Sequence, residues 1–184
     1  LAVTTLFWGA GATLQFVVLK WANIYLGFDQ PAATKLIAVL AVGIAVGSVV
    51  ASIQVKLEEA AKVLPAGTYM GLLVVGMIFV HDPILAAVLL FLIGALAGYF
   101  LVPLNSLLQH RGHQLLGAGH SIAVQNFNEN IGILLMLGAY TWMVGQNFAI
   151  NHIIIIFGLF IAFSMAFISQ LYRKHLQQQK SPAK

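Results

Sequence analysis

The run Gln125-Asn126-Phe127-Asn128-Glu129-Asn130 lies in the middle of an otherwise apolar stretch from about Gly117 to Val144. Five of these six side chains are strongly polar, and Glu129 is a carboxylate. The stretch is long enough to cross a bilayer, whose hydrocarbon core takes about 20 residues of helix. A charge at mid-depth costs from ~3 to more than 10 kcal/mol. A helix that keeps one there must turn it toward protein or water. This limits the fold to a bundle with a sheltered polar interior.

The rest of the chain agrees with a membrane setting. Its 184 residues are 60% hydrophobic and 8% charged, where a soluble domain carries roughly 25% charged residues. The chain therefore reads as an integral membrane protein. With no cysteine, disulfides and thiolate metal sites are excluded. The net charge of +4 comes without a basic patch interleaved with aromatics, so it points to cytoplasmic anchoring rather than to nucleic acid. The chain opens at Leu1 and is already apolar at Leu6-Phe7-Trp8. It has no basic n-region or cleavage site, so no signal peptide is expected, and it reads as a piece of a longer protein.

Six segments predict membrane helices: about Val3–Leu26, Ala33–Val55, Val63–Val80, Ile84–Leu108, Gly117–Val144 and Asn151–Leu171. The third holds Pro65 in its first turn, where proline is tolerated. Asp82 is placed to cap the fourth. The connections are turns at Asp29, Asp82 and Asn147, a charged loop at 56–62 and a loop at 109–114. A bundle over 1–172 is expected, with a cytoplasmic polar tail over 173–184. Lys56, Lys62, Arg111, Arg173, Lys174, Lys180 and Lys184 are seven of the nine basic residues. With six spans they fall on one side, which by the positive-inside rule places both ends in the cytoplasm.

On an ideal helix at 100° per residue, Gln125 and Glu129 share one stripe and Asn126 and Asn130 the next, with Asn128 beside them. Phe127, Ile131 and Leu134 fall on the other side. This polar face is expected to line a substrate path or couple an ion; the alternative is a hydrogen-bond cluster that only holds helices together. Lys20 and Gln15 on the first helix are further path candidates, Lys20 either snorkelling to the interface or pairing with Glu129 or a phosphate. Asn105, just after Pro103, is expected to redirect the end of the fourth helix. Gly43/Gly47, Gly67/Gly71 and Gly94/Gly98 are small-xxx-small pairs that let helices approach closely. His110 and His113, with Arg111 between them, make a poor metal site, and His81, His120 and His152 read as interfacial. No nucleophile–base set, phosphate-cradling loop or HExxH motif occurs. No enzymatic activity, cofactor or nucleic-acid partner is therefore expected.

The run Val102 to Gly112, beginning Val-Pro-Leu-Asn-Ser, and the block Gly117 to Asn126 followed by Glu129-Asn130 resemble bacterial lysophospholipid transporters of the major facilitator superfamily. Leu6 to Leu14 looks like the seventh helix of that family, and Ala41 to Gly47 fits the eighth. The resemblance implies an all-α fold, the C-terminal six helices (helices 7–12) of a twelve-helix transporter, packed against an N-terminal half. It implies movement of lysophosphatidylethanolamine, with lysophosphatidylglycerol, from the outer to the inner leaflet of the bacterial inner membrane. There an acyltransferase–acyl-carrier-protein synthetase, fused in some species, re-acylates it. Members carry an arginine where this chain has Gln15, so a phosphate-binding role of that arginine is either lost here or moved to Lys20, and Lys20 or Gln15 is expected near the phosphate. Glu129, Asn126 and Gln125 are expected to meet the ammonium and hydroxyls, with Asn130 and Asn105 along the path. The first helix is expected to offer an apolar surface of Phe7, Trp8, Phe16 and Trp21. Two other readings compete: a proton-coupled exporter of drugs or small solutes with Glu129 as proton carrier, and a membrane anchor for the acyltransferase that transports nothing.

Overall fold

A computed structural model describes residues 1–180. They form six helices: α1 (Ala2–Leu26), α2 (Gln30–Gln54), α3 (Leu64–Gly76), α4 (Pro83–Leu116), α5 (Ala118–Gly145) and α6 (Ile150–Lys180). Tighter 3-10 segments, Leu57–Val63 and Met77–Phe79, extend α3 at both ends. Five helical stretches among the described residues are long and apolar enough to cross a membrane. The sixth, α5, has 28 residues and reaches about 42 Å at 1.5 Å per residue; only its polar run sets it apart. The protein is a multi-pass, all-helical membrane protein.

Helix starts follow local chemistry. The Asp82 carboxylate accepts hydrogen bonds from the backbone N–H groups of Ile84 and Leu85 at 2.9 and 2.8 Å, with Pro83 at the first helical position. Asp29 does the same for α2, accepting from Ala32 at 2.9 Å. Gly27, at φ 65°, closes α1 in the left-handed conformation that glycine adopts without strain.

Helix ends differ from the sequence expectation. The loop expected at 109–114 is helical, because α4 runs on to Leu116 before Gly117 (φ 78°) breaks it. Asn105 therefore sits inside α4 and does not redirect its end. The charged loop at 56–62 is largely taken up by the 3-10 segment leading into α3. The tail expected from Arg173 continues α6 through Lys180, and its last residues, 181–184, lie outside the described residues. The physical reason is common to all three. Hydropathy falls where a helix leaves the bilayer, but helix propensity does not, and Leu, Gln, Arg, Lys and Ala continue a helix in water.

The helices associate mainly as three pairs, α1 with α5, α2 with α4 and α3 with α6. Each pair has a glycine seam. A Cβ on Gly43 or Gly47 would collide with the carbonyls of Phe91 or Ala95, and one on Gly94 or Gly98 with those of Leu40 or Ile44. On α3, Gly71 lies against Gly158 and Ala162 of α6, while Gly9 of α1 lies against Gly132 of α5. Contacts rise together in number along α2 and α4 (Leu40 with Gly94, Ile44 with Gly98), so those helices run parallel. In the α3–α6 pair they run in opposite senses (Gly67 with Met165, Gly71 with Ala162). Parallel packing of even-separated helices and antiparallel packing of odd-separated ones is what alternate crossing of a membrane requires. Trp21, Phe100, Leu90, Ile93 and Ile153 are fully buried between the pairs. Trp21 thus belongs to the core rather than to the surface expected for it, whereas Trp8 and Phe16 are exposed.

Candidate functional site

The polar run of α5 divides into an inner and an outer stripe. Ser121, Gln125 and Glu129 recur every four residues and point into the bundle, with Gln125 6% and Glu129 8% exposed. The Gln125 side-chain amide donates to the Glu129 carboxylate at 2.9 Å and to the Asn105 side-chain oxygen on α4 at 3.2 Å. One amide therefore ties the buried carboxylate to a neighbouring helix. Asn105 is half-buried and follows Pro103, the proline inside α4, which supplies no N–H to the Tyr99 carbonyl one turn back. Asn126 and Asn130 are exposed, and Asn128 is half-buried. The side-chain amide of Asn130 donates to the Asn126 carbonyl, and that of Asn128 to the Val124 carbonyl, both at 2.8 Å. These two outer amides are held by their own helix.

A cavity of about 360 Å³ opens at the centre of the bundle. Trp8, Leu40, Met70, Ile93 and Ile133 line it, and Gln15 is its amide group. Its volume lies at the lower end of ligand pockets, about 300–1,000 Å³. Ile133 follows Glu129 by one turn on the same face of α5, about 6 Å along the axis. The buried polar pair and the apolar cavity are thus consecutive along one helix face, an arrangement suited to a molecule with a polar end and an apolar end. Lys20 is elsewhere: it lines a separate cavity of about 370 Å³ with Asn23, Asp29 and Gln30. Lys20 and Glu129 do not pair; among the described residues the one ion pair joins Lys62 to Glu59. The structure brings Gln125, Glu129 and Asn105 together and places Gln15 and Lys20 in different cavities.

Known proteins are similar to this chain over nearly its whole length. The lysophospholipid transporter LplT of Escherichia coli O157:H7 (strain EC4115 / EHEC) is 43% identical over 173 residues, covering 94% of this chain and 44% of that protein. The proteins of the same name from Escherichia coli O1:K1 / APEC and Escherichia coli O9:H4 (strain HS) match with the same identity and coverage. The chain is similar to these transporters over nearly its whole length. It spans about half the length of the curated relatives it matches. No protein-family model matches the chain, and no solved structure does.

The contribution of each polar group is measurable. Removing Asn105 (Asn105→Ala) leaves Gln125 bonded to Glu129 and should destabilise the bundle by about 0.6 kcal/mol, the average for an interhelical hydrogen bond in a membrane. Removing Gln125 (Gln125→Ala) strips the buried carboxylate of its donor and should cost about 1–3 kcal/mol. Thermal unfolding in detergent should therefore rank Gln125→Ala below Asn105→Ala. The reverse order would show that the carboxylate is not held by Gln125. Sequence reasoning missed Leu40, Met70 and Ile93 as cavity walls, since an apolar residue facing a cavity is indistinguishable in sequence from one facing a neighbour. It also missed Gly9 and Gly132, which carry no four-residue glycine partner.

Proposed function

We propose that this chain is the C-terminal six-helix half of a twelve-helix major-facilitator transporter. The transporter moves lysophospholipids, chiefly lysophosphatidylethanolamine, from the outer to the inner leaflet of a bacterial inner membrane. The observation that carries this reading is the 43% identity, over 94% of the chain, to proteins named as lysophospholipid transporters. Two physical features support it. The polar pair Gln125/Glu129 and the apolar cavity follow one another on α5, as the head and chain of a lysolipid do. The half-length match leaves room for a second bundle, against which exposed Asn126, Asn130, Trp8 and Phe16 would lie. The bias of Lys and Arg to one end supports cytoplasmic ends, and the receiving leaflet is then the one where re-acylation takes place. The protein relocates its substrate and leaves its covalent bonds unchanged.

The test is direct. The full-length protein in proteoliposomes should move labelled lysophosphatidylethanolamine between leaflets well above protein-free vesicles. Translocation no faster than in empty vesicles would overturn the proposal. Transport of a water-soluble solute, driven by a proton gradient and lost on Glu129 neutralisation, would favour an exporter instead.

A further inference from the structure

We propose that the cavity between the end of α1 and the start of α2 is a docking site for a zwitterionic phosphoethanolamine head group, with Lys20 meeting the phosphate and Asp29 the ammonium. The inference rests on the lysolipid reading above and adds a second site, away from the Gln125/Glu129 face. The cavity, of about 370 Å³, holds a cation and a carboxylate together with the amides of Asn23 and Gln30. Opposite charges in one partly enclosed site ordinarily close into an ion pair, yet Lys20 and Asp29 do not. Half-buried Lys20 thus has no carboxylate within ion-pair distance among the described residues, which leaves its ammonium available to an anion from outside the protein.

The walls are built rather than loose. Gly27 turns the chain with φ 65°. The Phe28 N–H donates to the Ala22 carbonyl at 3.2 Å, and the Asn23 amide donates to the Phe28 carbonyl at 2.9 Å. One oxygen of Asp29 caps α2 through Ala32 at 2.9 Å. The cap fixes the carboxylate in place and leaves its second oxygen for a donor.

Position identifies the source of the ligand. Lys20 lies six residues before the end of α1 at Leu26, about 9 Å along the axis. That is just beneath the head-group layer, which adds ~5–8 Å on each side of the ~30 Å core, and the flexible lysine stem reaches up into that layer. Phe28 gives the site an apolar wall beside its charges. A lipid head group at the bilayer surface meets all of these features, while a free phosphate ester needs only the charges. The carboxylate also sets selectivity. Lys20 alone would take any phosphate, but Asp29 opposes a head group that is only anionic and favours one that also carries an ammonium.

The experiment uses the full-length protein and two substitutions that spare the fold. Asp29→Asn keeps the cap, since asparagine caps as well as aspartate, and removes only the charge. Lys20→Gln removes the cation. Binding of lysophosphatidylethanolamine and lysophosphatidylglycerol is measured in detergent, with glycerophosphoethanolamine as a water-soluble competitor. Asp29→Asn should weaken lysophosphatidylethanolamine binding about fivefold, the scale of a partly exposed charge pair, without weakening lysophosphatidylglycerol. Lys20→Gln should weaken both. Wild-type affinities in both variants would overturn the site. Competition by glycerophosphoethanolamine as strong as by the lysolipid would overturn the lipid as its source. Wild-type protein that binds lysolipid with this pattern but does not translocate it would sink the transport reading alone.

Discussion

Glu129→Gln is expected to lower lysolipid translocation by about tenfold to a hundredfold while the bundle stays folded. The range corresponds to the ~1.5–3 kcal/mol of a hydrogen bond to a charged group, at 1.4 kcal/mol per factor of ten. Glutamine matches glutamate in length, and its carbonyl oxygen can still accept from the Gln125 amide that now donates at 2.9 Å. What disappears is the charge, on the only acidic residue within the six α-helices. A carboxylate held 8% exposed at membrane depth is expensive, and its one observed donor is a neutral amide. A purely structural role would be served as well by an amide. Membrane level and thermal unfolding should therefore match wild type while translocation collapses. Wild-type translocation by Glu129→Gln would remove the charge from the mechanism and leave the Gln125–Glu129–Asn105 group as a tie between α4 and α5. Glu129→Leu is the complementary control: it strands the Gln125 amide and should lose stability as well as transport.

Much of this arrangement is legible in the sequence, for identifiable reasons. A charged residue inside an apolar run has few places to go, so the inward turn of Glu129 follows from its cost, and the four-residue spacing carries Gln125 with it. The caps at Asp29 and Asp82 are equally legible because they depend on a side chain and the next three residues. Helix ends were less so: the spans of α4 and α6 stop at the membrane boundary, whereas the helices continue through Gln109–Leu116 and Arg173–Lys180 on propensity alone. The partition of α1 is a third kind of case. Lys20 and Gln15 are separated by about 140° around an ideal helix, which shows that they face different ways. Which cavities they meet depends on how α2 and α5 pack, and no local rule contains that. Trp21 illustrates the same limit, since an aromatic residue suits a lipid-facing surface and a core equally well until its neighbours are placed.

Gly47→Leu and Gly98→Leu should each prevent stable assembly of the bundle, and this follows from what holds helices together in lipid. Without a hydrophobic drive between helices, association depends on close van der Waals packing and on contact between backbones. The α2–α4 pairing is the most extensive in the bundle. At Gly47 the obstacle to a Cβ is the Ala95 carbonyl, and at Gly98 it is the Ile44 carbonyl with Ser48 beside it. These are backbone atoms, which cannot move aside as the tip of a side chain can. Overpacking costs about 1–3 kcal/mol where side chains yield and more where they do not. A leucine at either position must push the two helices apart along the seam, loosening the contacts of Gly43 and Gly94 as well. Each variant should lower the midpoint of thermal unfolding by at least about 5 °C, at ~2–4 °C per kcal/mol for a chain of this size, or fail to accumulate in the membrane. Gly138→Ala is the control: nothing lies within 4 Å of its added Cβ, and alanine favours helix over glycine by about 1 kcal/mol, so its midpoint should be unchanged or slightly raised. Wild-type midpoints for both leucine variants would show that α2 and α4 do not meet along this glycine seam.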